Sequence, residues 1–297
     1  MSLPSDAPFG HVATAMVTPF RQEGPIDHEK AWRLARYLSD NGSETLVVTG
    51  TTGESPTLSD EEKLALYKTV IDAVAEKKTK VIAGTGTYDT AHSVELTKRA
   101  ADLGCDGVLA VTPYYNKPTQ DGLVGHFSAI ADVGVPVMLY NIPGRTGRLI
   151  EVDTLRRLAQ HENVVAVKDA VENLDFTSRT VETVPELPVY SGQDSYTWPM
   201  MAVGAIGVVS VVAHLAGRVV AAMVRAALDG DMVEARRIHL SLLDLCHGCF
   251  LETNPAPVKG ALSRLWEPVG DVRLPLVNAS EETLSAVEKA VGTLQGL

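Results

Sequence analysis

Cysteine is scarce in this chain. Cys105, Cys246 and Cys249 are three among 297 residues, an odd and sparse set that excludes a secreted disulfide scaffold and points to a reducing cytoplasm. Blocks of clustered Lys or Arg are missing too. With a formal charge of −11 and a pI near 5.2, the surface lacks what phosphate neutralisation needs, which argues against nucleic acid as a partner. The opening MSLPSDAPFG has neither a basic n-region nor an apolar h-region, so no secretory signal is expected. One long uncharged run stands out, WPMMAVGAIGVVSVVAHLAG at 198–217. Its length suits a membrane helix, but Pro199, Gly204, Gly207, Ser210 and His214 divide it into a helix, a turn, a short strand and the start of another helix, as in a buried barrel element.

Signatures of several chemistries are equally absent. No HExxH occurs, and no Ser-His-Asp set accompanies a nucleophile elbow. GTGTYD at 84–89 lacks the third glycine and the acidic residue of a dinucleotide fingerprint. CHGC at 246–249 with His239 falls one ligand short of a metal site and lies in an amphipathic helix whose positions 242, 245 and 249 face inward. The expectation is core packing there, with no metal and no cofactor.

What the chain does have is a 45% hydrophobic content spread over short runs, enough for a sizeable core. Eight of them read as strands, at 13–19, 45–50, 80–86, 107–113, 136–141, 164–169, 188–193 and 207–211. Helical segments separate them. In 27–42, Trp32, Leu34, Ala35 and Leu38 are read as one face, with Gly42 ending the helix; in 59–77, Ser59 and Glu62 form a capping box. Eight β-runs alternating with helices predict an α/β fold, a (β/α)8 TIM barrel. After residue 229 the strand signal stops, and 229–248, 255–266 and 280–294 read as helices. The expected organisation is a catalytic barrel over 1–229 and a small C-terminal helical subdomain over 230–297, packed on it.

Barrel sites form where strands end. Lys168 follows Val164-Val165-Ala166-Val167; a charged amine there is costly to desolvate, whereas a neutral one is the nucleophile that makes an imine with a keto acid. From the strand alone, a lysine that snorkels to solvent or pairs with Asp169 is as good a reading. GTTGES at 50–55 offers Gly50 and Gly53 for a tight turn, and Thr51 and Thr52 for binding a carboxylate or passing a proton; an ordinary βα turn would look the same. Tyr115 and Tyr140 are phenols at strand ends, either acid/base groups or core tyrosines. Arg145, in a loop between Gly144 and Gly147, is either a bidentate carboxylate holder or a solvated surface residue. Their convergence at one end of one barrel favours a site.

In their order and spacing, GTTGES, VTPYYNKP, LYNIPGRTG, VVAVKDA, YSGQD and ETNPAPVK resemble the dihydrodipicolinate synthase branch of the N-acetylneuraminate lyase superfamily, from about residue 12 onward. The resemblance implies a class I lyase in which Lys168 forms a Schiff base with pyruvate and Tyr140 is the acid/base. Thr51 and Tyr115 would complete a hydroxyl relay, Tyr115 reaching across a dimer interface. Thr52 would bind the pyruvate carboxylate, Arg145 the carboxylate of L-aspartate 4-semialdehyde, with Gly192 and Val209 lining the pocket. It further implies a cytoplasmic homo-oligomer, a dimer of dimers, acting in diaminopimelate and lysine biosynthesis. The same lysine and tyrosine serve other pyruvate-dependent aldolases of the superfamily, and a non-catalytic keto-acid-binding barrel is a further alternative. Feedback-inhibited members bind lysine through residues matching Ser55, Pro56, Asp60, Lys63, Tyr88, His92 and Tyr114. Here His92 replaces a glutamate, and Asp60 and Lys63 replace two histidines, so weak or absent inhibition by lysine is expected.

Overall fold

The computed structural model describes residues 7–22 and 24–294; the first six residues of the opening stretch read for a signal lie outside them. Each expected apolar run overlaps one strand: β1 (Val12–Ala15), β2 (Thr45–Val48), β3 (Lys80–Gly84), β4 (Gly107–Val111), β5 (Val137–Asn141), β6 (Val164–Asp169), β7 (Val189–Ser191) and β8 (Gly207–Ser210). All pair in parallel in chain order, and β8 returns to β1 through Val12↔Val208 and its neighbours, closing the barrel. The strands are buried on both faces, which is why they read as near-continuous apolar runs rather than alternating ones. Inward positions such as Ala13, Val47, Ile82, Met138 and Ala166 fill the barrel, while the alternate residues pack against the surrounding helices. At the N-terminal end Phe9 plugs the cylinder, its N–H held by the Tyr190 hydroxyl at 3.3 Å.

The capping box forms as read. Ser59 Oγ accepts from Glu62 N at 3.2 Å, and the Glu62 carboxylate accepts from Ser59 N at 2.9 Å, starting helix Asp60–Val74. Helix His28–Asp40 buries Ala31, Leu34, Ala35 and Leu38; Trp32, assigned above to that face, is instead 40% exposed and lies under the Arg36 guanidinium. Ala31 holds the i, i+3, i+4, i+7 position that Trp32 misses by one residue. The long uncharged segment resolves into helix Thr197–Ala202, β8 and the start of helix Ala213–Leu228. Among the described residues no helix is long and apolar enough to cross a membrane. Helices Met232–Gly248, Ala256–Leu265 and Glu281–Thr293 follow, packed on one another and on Ala213–Leu228. Cys246 and Cys249 are buried in that core.

Candidate active site

Strand register places the two central side chains. β5 and β6 pair Tyr140 with Lys168, so adjacent residues project together into the barrel. Lys168 is 5% exposed, and its Nζ stands 4.2 Å from the centre of the Tyr140 ring. Among the described residues its amine has neither an ion-pair nor a hydrogen-bond partner. Asp169, the alternative partner, faces the other way: its carboxylate accepts from Thr177 Oγ1 at 2.7 Å and from Val171 N at 2.9 Å, and burial raises its pKa. Lys168 therefore neither snorkels nor pairs with Asp169, but borders a cavity of about 650 Å³. Gly192, just beyond β7, makes room for it: a Cβ there would lie 3.1 Å from Lys168 Cε and 2.8 Å from Ala170 Cβ. Beneath, Asp194 ties the last two strands together, accepting from the Ser210 hydroxyl and from Val211 N at 2.8 Å. Burial raises the Asp194 carboxyl; these hydrogen bonds and the Lys168 charge oppose it.

The GTTGES turn covers the other side. The left-handed residues are Thr49 (φ 55°), just before it, and Glu54 (φ 57°) within it, not the two glycines expected to shape it. Gly53 matters for close approach, since a Cβ would come within 2.9 Å of Thr49 Cα, whereas Gly50 has ordinary space around it. Thr49 is held by the Tyr67 hydroxyl at 2.7 Å. Thr51 and Thr52 both line the cavity, and among the described residues neither N–H donates to a protein acceptor. Two free backbone donors opposite an unpaired amine suit a small anion.

Three C-terminal residues hold this turn, and reading the sequence assigned none of them a role. Glu54 and Lys259 form a buried ion pair at 2.8 Å; the other Glu54 oxygen accepts from Arg273 N at 2.8 Å. Burial lowers Lys259 to about 8, against the pull of Glu54. Asn254 Nδ2 donates to Thr52 Oγ1 at 2.9 Å. Phe250, Gln193 and Val211 also border the cavity. ETNPAPVK contains Asn254 and Lys259, but a side chain acting on a turn about 200 positions away leaves no local signal.

Arg145 sits on one short helical turn, Pro143–Thr146, rather than in a loop. The turn is clamped by Asn141, which donates to Ile150 O at 2.9 Å and accepts from Ile150 N at 3.0 Å. Its guanidinium has no partner among the described residues, and it borders both the main cavity and an adjoining one of about 220 Å³, as do Thr51 and Tyr140. Among the described residues no direct hydrogen bond joins the hydroxyls of Thr51 and Tyr140. The structure leaves one expected lining residue out of the cavity: Val209 is buried inside the barrel with Ala166 and Tyr190, and Val211, two residues on, forms the wall instead. Tyr115, expected to act across a dimer interface, is 92% exposed with φ 71°.

A closed α/β barrel that presents an unpaired lysine to a turn with two free N–H groups, with a phenol at its side, has the groups that a lyase of the class I aldolase type needs. Comparison with known proteins narrows the class: the chain matches the dihydrodipicolinate synthetase family over residues 8–294 and belongs to it. A 4-hydroxy-tetrahydrodipicolinate synthase of Heliobacterium modesticaldum is 48% identical over 285 residues, 95% of this chain and 95% of that protein. One from Moorella thermoacetica is 50% identical over 291 residues, 96% of this chain and 99% of its own. The crystal structure of DHDPS from Cyanidioschyzon merolae with lysine bound has a TM-score of 0.95 at 43% identity, covering 98% of this chain and 100% of that one.

Proposed function

We propose that the chain is a 4-hydroxy-tetrahydrodipicolinate synthase that condenses pyruvate with L-aspartate 4-semialdehyde in diaminopimelate and lysine biosynthesis. Lys168 Nζ adds to the keto carbon of pyruvate and water leaves, giving an imine whose nitrogen draws electrons from the adjacent methyl group. Loss of a methyl proton gives the enamine, which attacks the aldehyde carbon; the α-amino group of the semialdehyde then displaces the lysine and closes the ring. Tyr140, beside the imine, carries protons, with Thr51 and a partner's Tyr115 as relay. The free N–H groups of Thr51 and Thr52, and the Thr52 hydroxyl, hold the pyruvate carboxylate. Arg145 at the mouth takes the second carboxylate, which is the group that separates this substrate from polyhydroxylated ones. Gly192 clears space for the lysine, and Val209 packs beneath the site. The barrel over 1–229 supplies the chemistry and the helical subdomain over 230–297 covers it, in a cytoplasmic dimer of dimers.

The observation that carries this reading is the lysine amine, buried and without a counter-ion, across the cavity from two unengaged backbone donors. Borohydride reduction in the presence of pyruvate, followed by intact mass, is expected to add a reduced pyruvyl group at Lys168 and nothing in Lys168→Ala. An unmodified wild-type protein would overturn the reading. Lysine is proposed to inhibit weakly or not at all. His92 Nε2 lies 2.8 Å from Asp60, and Lys63 Nζ lies 3.8 Å from the same carboxylate, so that carboxylate is already engaged by the chain's own side chains. A submillimolar inhibition constant would contradict this.

A further inference from the structure

We infer that Asn254 is a positioning residue for the keto-acid carboxylate, acting by fixing which way the Thr52 hydroxyl points. The inference rests on the proposed function and adds a residue from the C-terminal subdomain to it. Asn254 is 5% exposed and ends the stretch from Phe250 that borders the cavity. Its Nδ2 donates to Thr52 Oγ1 at 2.9 Å. A threonine hydroxyl has one proton and two lone pairs. With one lone pair taken by an obligate donor, the proton turns away from the amide, and among the described residues Thr52 Oγ1 has no other partner. Thr52 borders the cavity, so its hydroxyl becomes a donor there beside its own free N–H. The other half of the amide supports a functional role. Asn254 Oδ1 is buried with no hydrogen-bond partner, a state that disfavours the fold and that an apolar residue would avoid. Asn254 contributes more as a one-way donor than it would as packing.

Two variants of opposite hydrogen-bonding character test this. Asn254→Leu removes the donor at similar volume. Asn254→Asp keeps the shape but presents only acceptors, which capture the Thr52 proton, turn lone pairs toward the substrate and add a negative charge near its carboxylate. For Asn254→Leu, KM for pyruvate is expected to rise about tenfold with kcat changed less than about threefold. Asn254→Asp, the variant that departs least in shape, is expected to raise KM further, by about a hundredfold. In a Thr52→Val background, Asn254→Leu should add less than about twofold, because the group it orients is gone. An unchanged KM in the Asp variant, or additive effects in the double variant, overturns the inference while leaving the borohydride adduct of the wild type intact. Absence of that adduct in the wild type overturns the proposed function, and this inference with it.

Discussion

The Lys168 side chain crosses from β6 into the cavity through a gap that exists only because position 192 has no side chain. A methyl group there would press on Ala170 Cβ at 2.8 Å and on Lys168 Cε at 3.1 Å, moving the amine relative to Tyr140 and the Thr51–Thr52 donors. Misplacement of a reacting atom by about an ångström costs on the order of a hundredfold in rate. Gly192→Ala is therefore expected to lower kcat/KM ten- to a hundredfold and to slow borohydride trapping, at a stability cost of about 1–3 kcal/mol from the overpacked contact; trapping at the wild-type rate would show that the lysine is not so confined. His214 makes a different kind of prediction. Buried at the start of helix Ala213–Leu228, it bonds Val211 O through Nδ1 at 2.8 Å and accepts from Val17 N at Nε2 at 3.1 Å. Only the neutral ring serves both bonds, and burial lowers its pKa from 6.5 to about 4. The unfolded chain then binds more protons than the native one across that interval, so stability is fully present above pH 6.5 and declines as pH falls toward 4, by roughly 3 kcal/mol. His126, also lowered by burial to about 4, adds to the decline, whereas Asp169 and Asp194, raised by burial, offset part of it. Urea unfolding of wild type and His214→Gln from pH 7 to 4.5 checks this, the variant being expected to show the shallower slope.

The GTTGES turn and the C-terminal segment behave as one element split by about 200 residues. Lys259 donates to Glu54 at 2.8 Å and to Asp271 O at 2.9 Å, and both Lys259 and Arg273 lie over the Phe20 ring, at 4.1 and 4.3 Å. Breaking a buried pair from one side leaves an uncompensated charge and destabilises by about 3–5 kcal/mol. Lys259→Met is expected to cost that much in chemical denaturation and to raise KM for pyruvate through the loosened turn; Glu54→Gln combined with Lys259→Met should recover part of both. Equal stability of the single variant and the wild type would mean that the pair does not hold the turn. The strands and the capping box were legible because periodicity and caps are local, and Lys168 and Tyr140 stood out as candidates because each closes an apolar run, although the run alone left a snorkelling lysine and a core tyrosine equally open. Asn254, Lys259 and Arg273 were not, because their partners are set by how helices dock on the barrel. The glycines of the turn were read for backbone freedom, whereas Gly53 is needed for close approach, a Cβ there meeting Thr49 Cα at 2.9 Å and, from β1's end, Met16 O at 3.1 Å; the left-handed backbone falls instead on Thr49 and Glu54, whose side chains are held by Tyr67 and Lys259.

At the scale of the whole molecule, one barrel supplies an amine, a phenol and anion donors but leaves the second phenol outside. Tyr115 is 92% exposed and held at φ 71°, a conformation that costs a non-glycine residue on the order of 1 kcal/mol, and its hydroxyl has no hydrogen-bond partner among the described residues. Next to it in sequence, Tyr114 packs edge-on against Tyr88, itself 56% exposed, at 5.4 Å. If Tyr115 serves the partner's site, catalysis is a property of the pair, and two inactive subunits can repair each other. In a mixed dimer of Lys168→Ala with Tyr115→Phe, one site joins the intact lysine of one subunit to the intact tyrosine of the other, and the second site lacks both. Random pairing makes half the dimers mixed, and half of their sites whole, so an equimolar refolded mixture should reach about a quarter of wild-type activity from parents that are each nearly inactive. Isolating the mixed dimer through two different affinity tags should raise that to about half per dimer. A pure mixed dimer as inactive as its parents would place Tyr115 outside the partner's chemistry.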